Sequence, residues 1–349
     1  MTALLAPETG TPEPPTRAPR RWRYLLGVAA GVGLTAVAVP GLTGASWAAV
    51  ATAAGQVPIP WLAALLVLWL VGLLAHTITL TAAMPGLTHR RALTLSLTGS
   101  AVANVLPLGG AAGIALNYRM SRAWGHGGPE FSAYTVVTNV WDVLAKLLIP
   151  VLALPALLVA ASSIGPTIAP AAAIAAGVLA VLTAVALATI ASPRAAERTG
   201  SAVDRLLGRW LRPRSCRAAL VRLQAEASQV VRTQWPRLSL GMALYSALLF
   251  ALLLGCLTAA GAALPLGAVA AGFAVERLLT LAGLTPGGAG VVEVGLIAVL
   301  AAFPGSSVGV ALGVVLYRAL TFVIEIPVGG TILAGWLWTQ RGRATGAVV

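Results

Sequence analysis

Charged side chains are scarce in this chain, at 9% of 349 residues, and the reactive side chains are rarer still: two cysteines, three histidines and one lysine. Cys216 lies in a polar stretch and Cys256 in an apolar run, with neither CxxC spacing nor a disulfide framework. His76, His89 and His126 show no HxxxH or HExxH spacing, so no zinc site is expected, and His76, alone in an apolar run, reads as a packed polar group. No GxxxxGK follows a strand, which leaves a nucleotide-binding P-loop unsupported. No motif sets a base beside a nucleophile for Ser/His/Asp chemistry. The expectation is a non-enzymatic protein without metal or cofactor.

What fills the chain instead is apolar surface: 58% of residues are hydrophobic, and the mean hydropathy is +0.89. A soluble domain of this length could not hide so much, so its solvent is lipid. Several runs reach the ~20 residues that a helix needs to cross the hydrocarbon core. The class is an all-α polytopic integral membrane protein.

The net charge of +13 does not point to nucleic acid. Arginine supplies 22 of the 23 basic residues, in short clusters between apolar runs. That is the pattern of the positive-inside rule, not of a basic recognition face. Residues 1–23 are proline-rich and polar, and read as a disordered cytoplasmic tail. Arg20 and Arg21 before an apolar run resemble a twin-arginine start, but a first span held by cytoplasmic arginines explains them better.

A single transmembrane domain is expected over residues 24–338, with a short cytoplasmic tail over 339–349. Full-length apolar segments run from Tyr24 to Leu42, Ile59 to Met84, Pro129 to Ala160, Pro166 to Ala191, Leu238 to Gly261 and Ser306 to Trp338. Two more are broken by glycine: Ala92 to Tyr118 at "PLGG", and Leu266 to Phe303 at "TPGGAG". Loop charges decide how the broken segments sit. With Arg17, Arg20, Arg21 and Arg23 inside, His89, Arg90 and Arg91 are inside two spans later. If the first broken segment enters and leaves on one side, Arg119, Arg122 and the basic amphipathic loop over 194–237 are also inside. That loop carries ten arginines against three acids. A second hairpin from the opposite side places Arg341 and Arg343 inside too, and every external loop is then uncharged. Making the first broken segment a single crossing would expel the arginine-rich loop. The architecture is therefore six full spans plus two opposed glycine-broken re-entrant hairpins, inverted-repeat-like, with both termini cytoplasmic in the cell membrane. Such paired breaks mark a substrate site near the midplane. In the 194–237 loop, Leu206, Leu207, Trp210 and Leu211 would form one apolar face lying on the inner membrane surface.

Helices restarting after Gly110 and Gly290 offer unpaired N–H groups and a positive dipole end, suited to an anion such as phosphate. The same glycines would also permit close helix packing. Seven ionisable residues fall in apolar segments: Asp142, Lys146, Glu276, Arg277, Glu293, Arg318 and Glu325. Each costs roughly 2.5–3.5 kcal/mol at a helix centre, so each needs a partner. Asp142 and Lys146, four apart, read as a structural ion pair that also has a chance to face the pathway. Arg318 and Glu325, seven apart, are about 10 Å from each other along one face. That is too far for a direct bridge unless Pro327 bends the helix, so partners on Glu276, Arg277 and Glu293 are expected. The set reads either as a headgroup site or as a self-neutralising packing network.

The stretches "NVLPLGGAAG", "YRMSRAWG", "LTPGGAGVVEVGLIAVL" and "LYRALTFVIEIPVGG" together resemble the lysylphosphatidylglycerol synthase transmembrane family, also called the flippase-like domain family. The resemblance spans most of the chain from about Ala92 to Gly330. It implies a domain that moves lipids, or lipid-linked molecules, between leaflets. Family members often fuse it to a soluble aminoacyl-transferase; only about eleven residues follow Trp338, so a stand-alone member is expected. Pro286, Gly287, Gly288, Gly290, Glu293 and Arg318 match the second-half motif. With Glu276, Arg277, Asn104, Gly109, Gly110 and Gly113 they form the expected substrate-binding set, and Asp142, Lys146 and Glu325 the structural or pathway ion pairs. Membrane lipids are the expected partners, with a separately encoded lipid-modifying enzyme as a candidate and no nucleic acid. Two other functions stand beside translocation: an enzyme subunit acting on a lipid-linked sugar, and an ion-coupled small-solute transporter.

Overall fold

The computed structural model describes residues 21–106, 109–161, 168–207, 216–282 and 285–346, and among these every regular element is a helix. The first half comprises α1 (Arg21–Thr43), α2 (Trp47–Gln56), α3 (Ile59–Ala83), α4 (His89–Val105), α5 (Gly109–Ala123) and α6 (Gly128–Ala161). The second comprises α7 (Ile168–Ala191), α8 (Pro193–Leu207), α9 (Cys216–Ala259), α10 (Leu266–Ala282), α11 (Val291–Ala301), α12 (Ser307–Arg318) and α13 (Glu325–Gly346). A single 3₁₀ turn (Pro286–Gly288) joins α10 to α11, and a π turn (Ala319–Val323) joins α12 to α13. Among the described residues, four stretches are long and apolar enough to cross a membrane: Ile59–Ala83, Gly128–Ala156, Ser228–Ala259 and Ser307–Gln340. A fifth exists if the bent pair α1–α2 counts as one span.

Both glycine-broken segments fold into helix pairs, α4 against α5 and α10 against α11. Their surroundings are reciprocal. The helix that follows the first pair, α6, packs on α10, the first arm of the second pair; α13, which follows the second pair, packs on α4, the first arm of the first. Between them α3 and α9 pack along their lengths as the central antiparallel couple. That contact is close because small residues line it: a side chain on Gly241 would lie 2.5 Å from Thr79 Oγ1, and one on Gly255 2.9 Å from Leu65. Thr79 adds a hydrogen bond, donating its hydroxyl to the Leu238 carbonyl at 3.1 Å.

The buried side chains form two main clusters. One gathers Leu65, Trp69 and Leu73 of α3, Leu252 and Leu253 of α9, Leu296 and Leu300 of α11, and Tyr317 of α12. The other joins Met84, Leu95, Met120, Phe131, Tyr134, Leu238 and Met242 around the first helix pair. Side chains turned outward remain apolar, such as Ile59 at 79% and Leu152 at 68% exposure, as bilayer contact requires.

Several local features differ from the sequence expectation. The stretch after the first span is not a plain loop: α2 forms there, its first turn capped by Ser46 Oγ accepting the Ala49 N–H at 3.2 Å. The chain bends by 88° between α1 and α2, where Gly44 adopts φ +70° at no steric penalty. The described residues of the 194–237 segment belong to two helices rather than one. Its start is α8, packed against α9, and its end is the polar beginning of α9, which continues into the apolar span without a break. The face assigned to Leu206, Leu207, Trp210 and Leu211 lies outside the described side chains, as residues 1–20 of the expected tail lie outside the described chain. Helix α1 already begins at Arg21, and α13 carries the expected C-terminal tail on as helix to Gly346.

Candidate functional site

The second helix pair turns through Thr285–Gly290. Gly287, Gly288 and Gly290 all have positive φ, at +57°, +72° and +84°. L side chains rarely tolerate this geometry, which explains the glycine-rich string. The Thr285 hydroxyl donates to the Ala289 carbonyl at 2.8 Å and closes the turn. Helix α11 then starts at Gly290, and Glu293 lies in its first turn. One carboxylate oxygen, Oε2, accepts the Gly290 N–H at 2.7 Å; the other, Oε1, accepts Arg318 Nε at 2.7 Å. Arg318 also donates through Nη2 to the Gly287 carbonyl at 3.1 Å and stacks on Phe322, 5.0 Å from the ring centroid. Arg318 and Glu293 are 7% and 8% exposed, so the pair is closed to solvent. In this conformation, then, the α11 N-terminus is not open: Glu293 itself supplies the anion that the helix dipole favours.

The end of α4 comes to the same place. A Cβ on Gly287 would lie 2.7 Å from Asn104 Oδ1 near the end of α4, and would collide with Phe322. Gly109 and Gly113 serve packing, since side chains there would strike Ala103 and the Gly99 carbonyl of α4. Gly110 is exposed and has no neighbour within reach of a Cβ. Pro107 and Leu108 of the first turn, and Gly283 and Leu284 before the second, lie outside the described residues.

Glu276 is fully buried on α10 and accepts two hydrogen bonds from the adjacent Arg277. Arg277 lies over the Phe273 ring at 5.4 Å and reaches Tyr317 Oη at 3.4 Å, one residue before Arg318. Asp142 and Lys146 pair at 2.7 Å on α6, with side chains 43% and 15% exposed. Glu325 is buried against α4 beside Ser100 and makes no ion pair among the described residues. The reason it does not share Arg318's face is the π turn. Pro327 has no N–H to give the Val323 carbonyl and crowds it, and the wider turn closes instead through Ile324 N–H to the Ala319 carbonyl at 2.8 Å. That shifts the register between positions 318 and 325.

The structure thus brings Glu293, Arg318, Gly287, Gly290 and Asn104 together, links Arg277, with its partner Glu276, to Tyr317 next to Arg318, and pairs Asp142 with Lys146. Sequence reasoning missed Tyr317, Phe322 and Gly31. Gly31 of α1 meets the turn, because a side chain there would lie 2.8 Å from the Ala289 carbonyl. The small-residue run "AAGVG" around it was the available signal. His76, stacked on Tyr245 with centroids 4.4 Å apart, is a packed ring as expected. No group of three metal-ligating side chains occurs among the described residues.

Comparison with curated proteins gives no match. A family comparison does: the profile of the lysylphosphatidylglycerol synthase TM region matches residues 24–329, which include both helix pairs, both turns and the Glu293–Arg318 pair, and the chain belongs to that family.

Proposed function

We propose that this protein moves a lipid, or a lipid-linked molecule, between the leaflets of the cell membrane without covalent chemistry. Six spans and two re-entrant hairpins, one from each face, would enclose the path, with both termini cytoplasmic. The family supports a lipid-related membrane role. The observation that carries the finer reading is the occupant of the α11 N-terminus. An arginine and a helix N-terminus converge on one carboxylate, the Gly287 carbonyl accepts a second hydrogen bond from the same arginine, and that carboxylate is tethered to the site itself. A lipid phosphate has the same charge sign and acceptor geometry, so it can replace Glu293 at Arg318 when the turn opens. Asn104, near the end of α4, lies against the same point, so release of the pair would free a polar passage between the two hairpins. Membrane lipids are the partners, and a separately encoded lipid-modifying enzyme would supply or consume the lipid moved.

The test is reconstitution into vesicles carrying head-labelled phospholipids in both leaflets, with an impermeant quencher added outside. The expected result is quenching beyond the outer-leaflet half, at a rate above that of empty vesicles. Quenching that stops at half for every native lipid class tried would overturn the proposal. Covalent modification of the lipid, abolished by Glu293→Gln, would move the protein to the enzymes.

A further inference from the structure

Helices α6, α9 and α10 leave a groove of about 370 Å³ between them, lined by Leu148, Ile149, Leu152, Ala247, Phe250 and Phe273 among others, with Ser246 as its one polar side chain. Leu148 and Leu152 are 42% and 68% exposed at its edge, whereas Phe273 is buried at its floor, in edge contact with Phe250 at 5.6 Å. One end of the groove is polar. Arg277 lies over the Phe273 ring and holds Glu276 and Tyr317. By the arginine count α6 and α9 run outward and α10 inward, so this polar end lies near the midplane and the apolar slot extends toward the outer leaflet.

We propose that the groove holds one acyl chain of a membrane phospholipid whose headgroup lies at the Glu276–Arg277 pair, next to the Glu293–Arg318 pair. This rests on the translocator reading and names its tail subsite. The occupant follows from the chemistry of the two ends. An uncharged apolar solute would gain nothing from the charges at the polar end. An amphiphile uses both: its chain fills the slot while its head, drawn to the midplane, meets buried charge.

The probe is phosphatidylglycerol with a diazirine near the end of one chain, incorporated in vesicles with the full chain and mapped by mass spectrometry after irradiation. Adducts at Leu148, Ile149, Leu152 and Phe250 are expected several-fold above those at Val178 and Val181, bilayer-exposed residues of α7. Ala247→Trp should abolish the groove adducts and leave those on α7 unchanged; Ala270→Trp plugs the other wall should the first variant fail to fold. Labelling no higher than on α7, or untouched by both plugs, overturns the subsite. Groove labelling without lipid scrambling upholds the subsite and overturns translocation; scrambling without groove labelling overturns the subsite alone.

Discussion

Arg318→Ala will destabilise this protein more than removing both members of its ion pair. The single change strands the Glu293 carboxylate in a buried site with one hydrogen bond, from Gly290. Stranding one partner of a buried pair costs about 3–5 kcal/mol. The double variant Arg318→Met with Glu293→Gln removes both charges, and the glutamine carbonyl still accepts the Gly290 N–H. What remains lost is the donor to the Gly287 carbonyl, about 1–3 kcal/mol for an unsatisfied buried group. The order of thermal stability in detergent, followed by retention of the monodisperse peak after heating, should be wild type, then double, then single. Equal losses in single and double variants would mean that Glu293 is not the charge that Arg318 neutralises.

The two glycine-broken segments should respond differently to alanine. Gly290→Ala places a side chain at φ +84°, where Cβ sterics cost about 1–2 kcal/mol. It also drives that carbon to 2.8 Å from the Gly31 backbone of α1, with overpacking of about 1–3 kcal/mol. Gly110→Ala meets no atom within contact range and sits inside a helix, where alanine gains up to about 1 kcal/mol over glycine. The same heating measurement should show a large loss for the first and none for the second. Matching losses would show that the exposed face of α5 is covered by something in the native membrane.

The broad architecture was legible because it rests on properties that sequence carries directly. Helix breakers around Gly109–Gly110 and Pro286–Gly290, set within apolar runs, were enough to mark two helix pairs. The role of Glu293 was half legible: it stands three residues after Gly290, the spacing of a capping box, yet an intramembrane acid reads first as a ligand group. Contacts made across the fold were not legible. Nothing local marks Gly31 as the neighbour of Ala289, or Phe322 as the face on which Arg318 lies. The π turn was hidden for a different reason: Pro327 announces a bend, but only the neighbouring packing of α12 and α13 decides how the extra residue is absorbed. The polar 194–237 segment showed its amphipathic period without showing that its described residues divide between two helices, α8 and the start of α9.

The decisive measurement is the scrambling rate of the charge-free double variant, Arg318→Met with Glu293→Gln, at a protein density equal to wild type and with folding verified by elution profile. If the pair is a headgroup site with a tethered occupant, removing its cation and anion together removes the attraction that draws the headgroup in. The rate should then fall at least about tenfold, the equivalent of losing a hydrogen bond to a charged group of about 1.5–3 kcal/mol. A folded double variant that scrambles lipid as fast as wild type would contradict the account and leave Glu293 and Arg318 as fasteners of the α11 turn.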